Sequence, residues 1–211
     1  MTMGVGCKSG VDGAATASSE KSGASIVPDL QRFSPTGASL CLQQMIKNPA
    51  GPFHLFFVES SSDSKSTSVE ADVTPATIIY ARRETTAAYT STSSKKIKRA
   101  ELSEMELDFD IMGPVPWHGE LVAGQDSAKA AGIEDVNGYS ALKYEIDTAN
   151  EPRAQKATFD SMMAVKDYKI VGNAWVKANT GCLVKYSIDF EKDGKDGSVK
   201  KAHFEGNVTK R

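Results

Sequence analysis

From residue 182 to residue 209 the chain alternates apolar and polar side chains with almost no interruption. Val184, Tyr186, Ile188 and Phe190 are set against Lys185, Asp189 and Glu191, and after Asp193-Gly194-Lys195-Asp196-Gly197 the pattern resumes. Ala202, Phe204, Gly206 and Val208 then stand against Lys201, His203, Glu205 and Asn207. A period of two places every apolar residue on one face of a strand. The glycine-containing segment between the runs has hairpin length, and glycine takes positive φ at no steric cost. Residues 139–147 repeat the pattern, with Leu142, Tyr144 and Ile146 opposite Lys143, Glu145 and Asp147. Alternation joined by short turns means an antiparallel sheet with one dry face and one wet face.

The rest of the chain supplies more strands and the helices that cover the dry face. Ser34-Pro35 opens a helix, serine being a good N-cap and proline suiting the first helical position. Ala38, Cys41, Leu42 and Met45 follow at helical spacing, and Asn48-Pro49-Ala50-Gly51-Pro52 ends the segment. Residues 53–60 (FHLFFVES) read as a strand apolar on both faces, 67–74 as a half-buried strand and 76–82 as another. Residues 85–94 are either an exposed edge strand or a loop. Between 95 and 112 the pattern fits a strand (Met105, Leu107, Phe109, Ile111) or a helix face (Leu102, Met105, Phe109). Residues 126–131 read as a short helix stopped by Gly132, and 168–177 as a strand carrying Trp175. The fold class is α+β: an antiparallel sheet covered by two or three helices, in one domain spanning 34–211.

Residues 8–25 hold 13 small residues among 18, too little apolar surface to offset the entropy of ordering them, so 1–33 is expected to be a tether. Gly4-Val5-Gly6-Cys7 stands directly before that stretch. A small residue, a cysteine and a polar linker resemble the end of a bacterial lipoprotein signal, which makes Cys7 a candidate lipidation site and membrane anchor; the other reading is an incidental cysteine. Lys and Arg total 25 against 27 Asp and Glu, a net charge of −2, which gives no electrostatic basis for nucleic-acid binding. No apolar stretch approaches the ~18 residues of a membrane-spanning helix.

Two short motifs carry a family resemblance. Gly132-Ile133-Glu134-Asp135-Val136-Asn137-Gly138 followed by Leu142-Lys143-Tyr144-Glu145-Ile146-Asp147 resembles the strand entry of the LppX- and LprG-like branch of the LolA-like envelope lipoproteins. Gly172-Asn173-Ala174-Trp175-Val176 with Gly181-Cys182-Leu183-Val184-Lys185-Tyr186 resembles a hairpin of that branch. The resemblance implies an incomplete, half β-barrel lidded by helices, located in the bacterial cell envelope and holding a lipid or acyl chain without catalysis. Phe56, Phe57, Ile79, Tyr144, Trp175, Val184, Tyr186 and Phe204 are the candidate cavity residues; each is also an ordinary core residue if the interior is filled. In that case the chain is a protein-interaction or structural module of the envelope. A monomer is expected.

Other residues offer less chemistry. Cys41 and Cys182 can pair in an oxidising compartment and staple helix to sheet, or remain buried thiols. His54, His118 and His203 lack ligand spacing, so no metal and no cofactor is expected. Trp117-His118, after Pro116, is a candidate for a pocket mouth. No nucleophile elbow, phosphate-binding loop or dinucleotide fingerprint occurs. Glu104, Glu106, Asp108 and Asp110 read as a solvated strand face, and Lys95-Lys96-Ile97-Lys98-Arg99 as a solvated basic loop or a contact for anionic headgroups. A non-enzyme is expected. A site assembled from distant residues would first have to join Trp117 or His118 to the carboxylates of 104–110.

Overall fold

Nine strands lie side by side in one antiparallel sheet. The computed structural model describes residues 33–116, 120–150, 165–194 and 196–211; Cys7, the tether, Trp117 and His118 lie outside them. In chain order the elements are α1 (Pro35–Lys47), β1 (Phe53–Ser61), β2 (Ser66–Val73), β3 (Thr77–Thr85) and β4 (Thr90–Lys98). A 3-10 turn (Arg99–Glu101), a π-helical turn (Glu106–Ile111) and the single turn α2 (Glu120–Ala123) follow. β5 (Lys129–Val136), β6 (Tyr139–Asp147), β7 (Val165–Lys177), β8 (Leu183–Gly194) and β9 (Val199–Lys210) complete the sheet.

The spatial order is β4-β3-β2-β1-β9-β8-β7-β6-β5. Two meanders, β1–β4 and β5–β9, therefore meet along a single seam where β1 pairs with β9, from Phe53 opposite Lys210 to Ser61 opposite Ala202. β4 and β5 are the edges, so the sheet is open. Its register sets one apolar row across six strands: Tyr144, Ala174, Tyr186, Gly206, Phe57 and Val69 stand opposite one another in turn. This row and its neighbours make the covered face, against which α1 and the π-helical turn pack Leu42, Ile46, Leu107 and Ile111. Ser34 caps α1 by accepting the Gly37 N–H at 3.3 Å.

The sheet curls. The Asn137-Gly138 turn joins β5 to β6, with positive φ at both residues (55° and 82°) as a tight hairpin requires. Its Asn137 side chain donates to the Val208 carbonyl at 3.4 Å, and the Asn137 carbonyl accepts from Lys210 N–H at 3.2 Å. β6 and β9 are three places apart in the sheet, about 14 Å if it were flat, so these bonds require the end carrying this turn to fold back on itself.

Two expectations are corrected. Residues 126–131 are not a helix: a turn ends at Ser127, and from Lys129 the chain is strand β5 with a bulge between Ala130 and Gly132. Pairing with β6 overrides the local helix preference. The ambiguous stretch 95–112 finishes β4 and then winds into the π-helical turn. Leu107 and Ile111, which only the strand pattern includes, are buried there, while Met105 and Phe109, common to both patterns, are exposed.

Candidate functional site

On the covered face the side chains fill the space between sheet and helices. Phe57, Tyr144, Val184, Tyr186 and Phe204 all lie there, each 5% exposed or less. Tyr186 and Phe57 stack with ring centroids 6.1 Å apart, and Phe33 lies 4.8 Å from Tyr144. The Tyr186 hydroxyl donates to the Pro114 carbonyl at 3.4 Å, and burial pushes its pKa up.

The other three aromatic or aliphatic candidates lie on the opposite, open face. Phe56 follows Phe57's neighbour Leu55 on the alternate side and is 38% exposed; Ile79 precedes buried Tyr80 and is 47% exposed. A strand apolar on both faces still has one wet face, and both residues are on it. Trp175 pairs across the sheet with Lys143 and Lys185. Those ammonium groups stand 5.9 Å and 4.6 Å from its ring, and its indole N–H donates to Glu134. Its low exposure comes from this polar clamp rather than from a cavity.

The acidic run is not a solvated strand face. Glu104 pairs with Lys47 of α1 at 2.6 Å and Glu106 with Lys95 of β4. Gln43 of α1 donates to Asp108, and the Tyr80 hydroxyl donates to Asp110 at 2.9 Å. Glu106, Asp108 and Asp110 thus tie the π-helical turn to β4, α1 and β3, and Glu104 ties the residues just before it to α1. Hydrogen bonds from Lys95 and Ser103 hold the Glu106 carboxyl down to about 2. The basic cluster is the end of β4 rather than a loop, and Arg99 beyond it donates to the Ile46 carbonyl at 2.8 Å.

Cys41 and Cys182 are joined by a disulfide, Cα atoms 4.7 Å apart across 141 positions of sequence. It fastens α1 to the β7–β8 turn. Beside it, at the curled end of the sheet, lies a cleft of about 710 Å³. Met45 of α1, the Ala50-Gly51-Pro52 loop, Phe53, Tyr139 and Ala178 give it apolar walls, and Lys177, Lys210 and Arg211 bring charge to it. The Lys177 ammonium stands 5.6 Å over the Tyr139 ring, whose hydroxyl pKa burial raises. Arg211 is held by Asp72 at 2.8 Å. No residue noted as a cavity candidate from the sequence lines this cleft. Its lining comes from strand ends and turns that only the curl brings together.

A second cleft, about 620 Å³, lies mainly along the open face of β7, β8, β9 and β1. Asp189 and His203 face each other in it at 2.8 Å, and Glu191 and Lys201 at 2.7 Å. His54 forms a like pair with Asp72 at 2.9 Å, which lowers the Asp72 carboxyl pKa. These are cross-strand polar pairs of the kind that stabilise a wet sheet face. Among the described residues no group of three or more His, Cys, Asp or Glu could hold a metal ion.

No protein-family model matches this chain, and no curated protein matches it. Among solved structures, MucB in complex with MucA(peri) is similar at 12% identity and a TM-score of 0.31, over 81% of this chain and 54% of that one. The chain spans about half the length of that structure's chain.

Proposed function

We propose that this chain is a non-catalytic binding protein of an oxidising, extracytoplasmic compartment, and that it holds a lipid or acyl chain at the curled end of its half-barrel. The observation that carries this reading is the cleft between α1, β1, β6, β7 and β9. Its volume lies in the 300–1,000 Å³ range of small-molecule sites, and its walls are apolar with a few cationic groups. The filled covered face moves the expected ligand from the interior of the sheet to its end. A disulfide between helix and sheet suits a compartment that keeps thiols oxidised. Carboxylates and histidines engaged in anchoring pairs suit binding rather than acid–base chemistry. Anchorage through a lipidated Cys7 belongs to the same reading and is tested by the mass of the mature amino terminus.

Native mass spectrometry of protein expressed with envelope targeting, followed by organic extraction, is the test. A stoichiometric lipid adduct that Met45→Glu abolishes without loss of the folded near-UV spectrum is the expected result. A bare protein that also refuses fluorescent fatty-acid probes overturns the reading. That outcome favours an interaction module working through β4. The strand is exposed at eight of its nine positions and carries no charge from Thr90 to Ser94, an unblocked edge to which a partner strand can add. Loss of a partner on Thr92→Pro is the matching test.

A further inference from the structure

We propose that the end cleft selects a single-chain amphiphile with an anionic head, its carboxylate or phosphate monoester held by Lys177 and Lys210 and its chain laid along Met45, Pro52 and Phe53. The inference rests on the ligand-binding reading above and adds the chemistry of the head. Lys177 ends β7 and Lys210 ends β9, strands separated by β8 in the sheet, yet both side chains line the same cleft. The Asn137-Gly138 turn helps to place them: Lys210 packs against Gly138, where an added Cβ would meet its own at 3.4 Å, and Lys210 N–H is bonded to Asn137.

The charged side chains that line the cleft are all cationic. No aspartate or glutamate is among its lining residues. Arg211 is already neutralised by Asp72, whereas among the described residues neither Lys177 nor Lys210 forms an ion pair, and Lys177 rests over the Tyr139 ring instead. Two unpaired ammonium groups beside an apolar wall complement an anion with an apolar body; a neutral chain leaves both without a counter-charge. The disulfide staples Met45's helix to the turn beyond Lys177, so the apolar wall and the cationic rim are held at a fixed separation before the ligand arrives.

Calorimetric titration of the oxidised full chain with dodecanoate, dodecyl phosphate, dodecanol and dodecyltrimethylammonium tests this. One or both anions should bind about tenfold tighter than dodecanol, the cation should bind more weakly still, and the preference should fall as salt is raised. The better anion identifies the head as carboxylate or phosphate. Lys177→Gln/Lys210→Gln, both partly or fully exposed positions, should erase the preference, so that the anions and dodecanol bind the variant with equal affinity. Equal affinity for anions and dodecanol overturns the inference but leaves the hydrophobic-ligand reading standing. A preference that survives the double substitution overturns the assignment to this cleft. Absence of binding by all four probes overturns both.

Discussion

Gly206 lies where no side chain fits. A Cβ there would stand 2.1 Å from the Tyr186 ring, so the tyrosine lies flat across the bare backbone of β9 and reaches Phe57 on the far side of the seam. The alternation made Gly206 legible as a covered-face residue, but not as the recess for a particular ring. That requires the register Tyr186–Gly206–Phe57, which depends on pairing across most of the chain. Gly206→Ala should destabilise by about 1–3 kcal/mol, the usual effect of overpacking a close-packed core, measured as a lowered urea midpoint with unchanged slope. Phe56 and Ile79 teach the complementary lesson. Their hydrophobicity suggested an interior position, while their parity relative to Phe57 and Tyr80 put them outside. Parity is the stronger signal wherever one sheet face is wet.

At the scale of elements, the strands with alternation were legible from residues alone, and so was α1 with its Ser34 cap. The π-helical turn was not, because its acidic residues act through partners on α1, β3 and β4 that are distant in sequence. Its stability should be pH-dependent in a definite direction. Glu106 titrates at about 2 instead of 4.5, so its bonds to Lys95 and Ser103 stabilise the fold fully above pH about 4.5 and are lost as pH falls toward 2. Glu106→Gln should flatten the fall in urea midpoint across that window; an unchanged slope would mean that the turn does not depend on this carboxylate. The Cys41–Cys182 link closes a loop long enough to remove about 5 kcal/mol of chain entropy from the unfolded state. Cys41→Ser/Cys182→Ser should lower the unfolding free energy by that order and speed amide exchange in α1 before it does so in β1. The end cleft was illegible for a related reason. Met45, Gly138, Lys177 and Lys210 occupy ends and turns, where local pattern is weakest, and a curl in the sheet gathers them.

Across the whole molecule the β1–β9 seam decides whether there is one folding unit or two. Each meander has a row of apolar residues, but the covered face is continuous only because Leu55 meets Val208 and Phe57 meets Gly206. Unfolding in urea should therefore follow one transition, with far-UV circular dichroism and tryptophan fluorescence coincident. Leu55→Ala should move both probes together by about 2–5 kcal/mol; probes that separate would show meanders able to stand alone.

That seam also has a consequence in time. β1 is the first of the nine described strands to leave the ribosome, while β9, the strand that completes its pairing, is the ninth. Phe53 and Lys210 are partners far apart in sequence, and at synthesis rates of about 5–20 residues per second the interval is of order ten seconds. For that interval β1 presents a bare hydrogen-bonding edge, and no chain lacking β9 can join the two meanders. A sheet whose central strand is made after all the others keeps its two halves unjoined until that strand has been synthesised.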